Sequence, residues 1–152
     1  MSPVTPITPG SRAPRLVVDA SVAIKWYVPE IGSADAVAIL QAGHDLLAPD
    51  LLVAELGNTL WKKVRRGEIS ADEGGEIVHA FLTACPLALW PSGPLLRPTL
   101  EIATAFDRTV YDSLYLAVAL AEGVPLVTAD ERLENALRGT RLEHTVQRLS
   151  VT

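Results

Sequence analysis

Four short apolar runs constrain the fold more than any other feature of this chain. Leu16-Val17-Val18, Leu46-Leu47-Ala48, Leu87-Ala88-Leu89-Trp90 and Pro125-Leu126-Val127-Thr128 are separated by stretches with helical signals. A run that is apolar at consecutive positions, without alternation, suits a strand buried on both faces. Such strands alternating with helices build βαβ units, and hence a parallel sheet covered by helices on both sides. The expected fold class is α/β, with three layers (α/β/α) and a short parallel sheet of four or five strands. The fifth would come from the tail, over 145–151.

The helices are punctuated. Ser21 stands as the cap of a helix that begins near Val22 and is halted by Pro29. A helix over 33–42 ends at Gly43, and Asp50 caps one that runs to about Arg66 before Gly67. Ser70 caps a helix over 71–84 that carries the weakening pair Gly74-Gly75. Helices over about 94–106, 111–122 and 131–137 complete the series. Residues 1–14, rich in proline, threonine and serine, are expected to form a loose leader, and residues 15–152 a single domain. That length accommodates one substantial core.

Composition excludes several classes. With 49% apolar and 20% charged residues the body is globular. The longest apolar run, from Leu114 to Ala121, is too short to cross a bilayer, and no signal-peptide pattern opens the chain. The single cysteine, Cys85, rules out an internal disulfide and suits a reducing compartment, so a cytoplasmic protein is expected. A net charge of -5 argues against tight, non-specific nucleic-acid binding by the whole surface, without forbidding a nucleic-acid substrate.

Four acids adjoin these apolar segments: Asp19 in V-V-D-A-S, Glu55 in L-V-A-E-L, Asp112 in V-Y-D-S-L-Y-L and Asp130 in L-V-T-A-D. Enclosing a carboxylate is costly unless positive charge compensates it. In parallel sheets ligands gather at the carboxyl ends of strands, where these acids are expected to meet. Each has a structural alternative. Asp19 suits a turn, Glu55 a solvent-facing stripe, Asp112 the positive end of a helix dipole, and Asp130 an N-cap. Ser21 and Thr128 stand two residues from Asp19 and Asp130, and Asn58 shares a helix face with Glu55. Together the acids suggest a site for magnesium or manganese, which prefer oxygen ligands and promote phosphodiester cleavage. Four carboxylates carry about four negative charges at neutral pH, more than one divalent ion balances. Either two ions bind, or one carboxylate is protonated or acts as a base.

The series V-V-D-A-S-V-A-I-K-W, P-D-L-L-V-A-E-L-G-N-T-L, Y-D-S-L-Y-L-A-V-A-L and L-V-T-A-D-E-R-L resembles the PIN domain, and within it the VapC-type toxins of toxin–antitoxin systems. Each block alone is weakly specific; the four in order are strongly so. The resemblance covers the chain from about Leu16 onward. It implies a magnesium- or manganese-dependent endoribonuclease silenced by a cognate antitoxin, with Asp19, Glu55, Asp112 and Asp130 as catalytic and metal-binding positions. Ser21, Asn58 and Thr128 take the supporting positions. It also implies a homodimer, for which the helices over 50–66 and 111–122 offer surface. Apolar faces on the helices between Val22 and Ala42 would suit an antitoxin segment.

Trp61-Lys62-Lys63-Val64-Arg65-Arg66 holds four of the thirteen basic residues. With Lys25 they are candidate RNA-phosphate contacts, although cations also complement a helix C-terminus. The three histidines lack metal-ligand spacing, and Cys85 has no evident histidine partner. A phosphoacceptor receiver domain also gathers acids at a sheet end, but Asp19 is followed by Ala20 and no lysine follows Lys63. A PIN-fold nuclease with another role (RNA processing or DNA-directed), or a non-catalytic binding module, are the remaining alternatives.

Overall fold

The computed structural model describes residues 13–151. All but the last two positions of the expected leader, and Thr152, lie outside the described residues. Among the described residues, five strands form one fully parallel sheet: β1 (Arg15–Val18), β2 (Asp45–Pro49), β3 (Leu87–Trp90), β4 (Leu126–Thr128) and β5 (Val146–Arg148), in the spatial order β3-β2-β1-β4-β5. Seven α-helices of the same region connect or flank them: α1 (Ala20–Ala23), α2 (Ser33–Gln41), α3 (Leu51–Arg65), α4 (Ala71–Thr83), α5 (Leu96–Phe106), α6 (Val110–Glu122) and α7 (Glu131–Leu137).

After β3 the chain returns across the sheet to β4 on the far side of β1. Because parallel crossovers are right-handed, that reversal carries α2 to α4 over one face and α5 with α6 over the other. The result is the expected three-layer α/β/α arrangement. β1 is central, and Val17 and Val18 are wholly buried. α6 is apolar nearly all round because it lies across the sheet beneath α5; every residue from Ser113 to Ala119 is buried.

Local chemistry sets most boundaries. Ser70 and Glu73 form a reciprocal capping box at the start of α4. Thr109 caps α6, its hydroxyl accepting from the Asp112 N–H at 3.1 Å. Gly123 takes a left-handed conformation (φ 64°) where α6 stops, which glycine adopts without a Cβ penalty.

Three expectations need correction. Ser21 does not cap a helix starting near Val22. The Asp19 carbonyl already accepts from the Val22 and Ala23 N–H groups, so α1 begins at Ala20 and tightens into a 3₁₀ turn over Ile24–Trp26. Asp50 precedes α3 but makes no side-chain cap; its carboxylate accepts from the Ser92 hydroxyl instead. The helix expected over 94–106 opens with a 3₁₀ turn, Gly93–Leu95, because Pro94 and Pro98 lack N–H groups, and becomes α-helical at Leu96.

Candidate active site

β1 pairs with β2 on one side and with β4 on the other, so the chain departs in opposite directions from their carboxyl ends. Crevices at such switch points collect ligands in parallel sheets. Asp19 is the first residue after β1, and Asp130 follows β4 by two. The early turns of α3 and α6 bring Glu55 and Asp112 to the same end.

Asp19 is held by two hydroxyls. Ser21 Oγ donates to Asp19 Oδ2 at 2.8 Å and Thr128 Oγ1 donates to the same oxygen at 2.7 Å. Each hydroxyl in turn accepts a backbone N–H at 3.0 Å, Ser21 from Ala129 and Thr128 from Asp130. Those incoming donors direct each hydroxyl's single proton toward the carboxylate. Burial raises the Asp19 pKa; the Thr128 and Ser21 hydrogen bonds oppose the rise, and the Asp112 charge adds to it.

Glu55 receives a hydrogen bond from the Tyr115 hydroxyl at 2.6 Å. Burial raises its pKa, the Tyr115 bond opposes, and the charges of Asp19 and Asp112 reinforce the rise. Tyr115 stays a proton donor: burial, then the charges of Asp19 and Glu55, push its phenol far above the ordinary range. Asp112 is raised first by burial and then by Asp130, while Arg108 and Arg132 pull the other way. Asp130 also fulfils its structural alternative, since its Oδ1 accepts from the Arg132 N–H at 2.9 Å and caps α7.

A cavity of about 570 Å³ opens at this edge, lined by Glu55, Asn58, Asp112 and Asp130 together with Arg108 and Arg132. Asp19 is coupled to it through repulsion with Glu55 and Asp112. Sequence patterning does not single out the two arginines or Tyr115. Tyr115 stands one helical turn beyond Asp112, a spacing that places both on one face. Arg132 stands two residues after Asp130, but arginine after an N-cap is common enough to carry no signal alone.

The structure divides the basic candidates. Lys62, Arg65 and Arg66 border a second cavity, of about 320 Å³, beside Trp61. Lys25 and Lys63 turn away and share Glu30, each at 2.9 Å, and Lys63 also reaches Glu68 at 3.1 Å.

A model of the PIN domain family matches residues 16–138. The chain belongs to the PIN-domain family. That match spans all four acids as well as Ser21, Asn58 and Thr128. This PIN domain is 34% identical over 122 residues to Ribonuclease VapC3 of Pyrobaculum aerophilum, covering 78% of the chain and 92% of that protein. It is 35% identical over 124 residues to Ribonuclease VapC1 of Mycobacterium tuberculosis H37Rv, covering 79% and 89%. At that identity and coverage it is a VapC-type PIN domain. Its fold matches the crystal structure of PAE2754 from Pyrobaculum aerophilum with a TM-score of 0.62 at 25% identity, over 91% of each chain. It also shares the fold of VapBC2 from Rickettsia felis, with a TM-score of 0.62 at 13% identity, over 90% and 99% of the two chains.

The donor set of this PIN domain fits a hard divalent cation. Its candidate donor atoms are carboxylate oxygens, and Asp19, Glu55 and Asp112 each have a pKa raised by burial and by neighbouring carboxylates. Each shift disfavours the ionised form, which a bound cation would favour. Among the described residues, no three acidic, histidine or cysteine side chains close tightly enough to enclose an ion unaided. Magnesium keeps several waters and takes only one or two carboxylates directly, so the open arrangement suits it. Among the described residues, no helix is long and apolar enough to cross a membrane.

Proposed function

We propose that this chain is a VapC-type endoribonuclease, dependent on magnesium or manganese, and the toxin of a toxin–antitoxin pair. The observation that carries the reading is the convergence of Asp19, Glu55, Asp112 and Asp130 at the switch point of the sheet, in a chain about a third identical to ribonucleases over most of its length. The cation would be held by these carboxylates, and when bound it supplies activation of water and charge stabilisation for phosphodiester hydrolysis.

The chain's own residues do the rest. Ser21 and Thr128 fix the Asp19 carboxylate in one orientation. Tyr115 fixes Glu55, leaving its second oxygen for the cavity. Arg108 and Arg132, the basic residues of the cavity wall, are placed to hold the non-bridging oxygens of a phosphate near Asp112. Asn58 adds a neutral hydrogen-bonding group.

Support for an antitoxin partner comes from the VapC-named relatives and from a fold shared with a toxin–antitoxin complex from Klebsiella pneumoniae. Incubation of the purified protein with RNA tests the activity. Cleavage in magnesium or manganese, abolished by Asp19→Asn and Asp112→Asn with the fold retained, is the expected result. Equal cleavage in excess chelator overturns the metal dependence. Sequencing RNA 5′ ends after controlled expression, beside the Asp19→Asn control, identifies the bond cut.

A further inference from the structure

The two cavities lie end to end along one face of α3. Glu55 and Asn58 line the acidic one; Trp61, Lys62, Arg65 and Arg66 line the basic one. At 3.6 residues per turn these positions, spaced by three and four, fall on a single open stripe. The opposite stripe, Leu52, Leu56 and Leu60, is buried in the core. Chemistry changes along the open stripe from carboxylate to cation within about two turns.

Trp61 is 51% exposed, unusual for so large an apolar ring, and the Arg65 guanidinium sits over it at 4.9 Å. That pairing makes a preformed flat platform beside Lys62 and Arg66. Lys63, one position round the helix, is instead committed to Glu30 and Glu68, and Arg66 touches the edge of that network at 3.8 Å from Glu68, whereas Lys62 and Arg65 border the cavity. A rise of about 1.5 Å per residue puts Lys62 and Arg65 about 10 and 15 Å beyond Glu55. A stacked strand at about 3.4 Å per nucleotide covers that distance in about three or four nucleotides.

We propose that the open face of α3 beyond Asn58 is a strand-binding subsite for single-stranded RNA leading away from the scissile bond. Trp61 stacks on an unpaired base, and Lys62, Arg65 and Arg66 contact its flanking phosphates. The proposal rests on the ribonuclease reading above. A single strand is favoured because only an unpaired base presents its face to an aromatic ring. An acidic protein segment would use the cations but has no base for the platform.

The test uses the full-length chain with Asp112→Asn, which keeps the RNA intact, and a twelve-nucleotide, fluorescein-labelled, unstructured RNA in magnesium. Binding is expected to quench tryptophan fluorescence. Adding Trp61→Phe should abolish most of that quench, and adding Trp61→Ala should weaken binding about tenfold or more. Lys62→Ala with Arg65→Ala should flatten the slope of log affinity against log salt by about 1.4, at about 0.7 per phosphate contact on a single strand. Unchanged affinity and slope in both variants, with melting curves showing the fold retained, overturns the proposal. So does a change in self-association with RNA affinity unaltered, which assigns the face to a protein contact. If the unsubstituted chain cleaves RNA but the oligonucleotide fails to bind, the subsite fails and the nuclease reading stands. If binding behaves as expected but no metal supports cleavage, the reverse holds.

Discussion

Asp112 is the residue where the electrostatics of the site concentrate. It feels burial, Asp130, Arg108 and Arg132, and it raises both Asp19 and Glu55 in turn. Its folded pKa lies above the ordinary 3.8, so its ionised form is penalised in the native state. Stability from this group is therefore complete below about pH 4 and is lost as pH rises through the raised value. Asp112→Asn should abolish cleavage while raising the metal-free melting temperature by about 2–4 °C, the shift for about 1 kcal/mol in a chain of this size. Manganese should raise the melting temperature of the parent more than that of the variant, because only the parent binds it well. Tyr115→Phe tests the second hydrogen bond. Removing a donor from an ionised partner is worth about 1.5 kcal/mol, so a fall in kcat of about tenfold is expected with KM nearly unchanged. A rise in KM with kcat unaltered would mean that Tyr115 does not position Glu55. Tyr115 is invisible as a site residue in the sequence because an aromatic inside L-Y-L-A-V-A-L looks like core, and it is core as well.

At the scale of elements, propensity and packing separate two adjacent glycines. Gly74 and Gly75 both weaken α4 on intrinsic grounds. A Cβ on Gly75 would meet nothing within 4 Å, whereas one on Gly74 would sit 3.4 Å from Val64 Cγ2 on α3. Gly75→Ala should stabilise the protein by about 1 kcal/mol in denaturant titration, and Gly74→Ala by less. Equal gains would mean that α3 and α4 are packed more loosely than they stand here. Element type and order are legible from the runs and punctuation alone; five strands and the main helices fall where expected. Capping is not. Ser21, Asp50 and Asp130 have the same cap chemistry in sequence, yet of these three only Asp130 caps, because the Ser21 hydroxyl is claimed by Asp19 two residues back and the Asp50 carboxylate by Ser92 across the fold. Surface assignments meet the same difficulty. The resemblance implies a dimer face on α6, but the middle of the helix is buried, leaving Tyr111 and Leu120 as its exposed large apolar residues.

Over the whole molecule, the loop after α1 is tied to α3 by charge. Glu30 joins Lys25 and Lys63, and although burial alone would raise its pKa, those two lysines hold it below the ordinary 4.5. A depressed carboxylate contributes stability above its unfolded pKa and loses it as pH falls through the folded value. Glu30→Gln should therefore cost about 1 kcal/mol or less near neutrality, and the difference from the parent should disappear as pH falls through the depressed folded value of Glu30. A difference persisting at lower pH would assign the effect to packing. By itself the sequence determined the fold class and the strand order along the chain and nominated the four acids, because consecutive apolar runs and carboxylates set beside them are local patterns. Ser21 and Thr128 are expected as supporting residues, but only the tertiary structure decided that Thr128 answers Asp19 and that Tyr115 answers Glu55. The sheet brings Ser21 and Thr128, 107 residues apart, within 3.4 Å of each other on either side of Asp19, and Tyr115 reaches Glu55 across 60 residues. Contacts of that separation depend on how the sheet reverses at β1, and no local pattern carries that information.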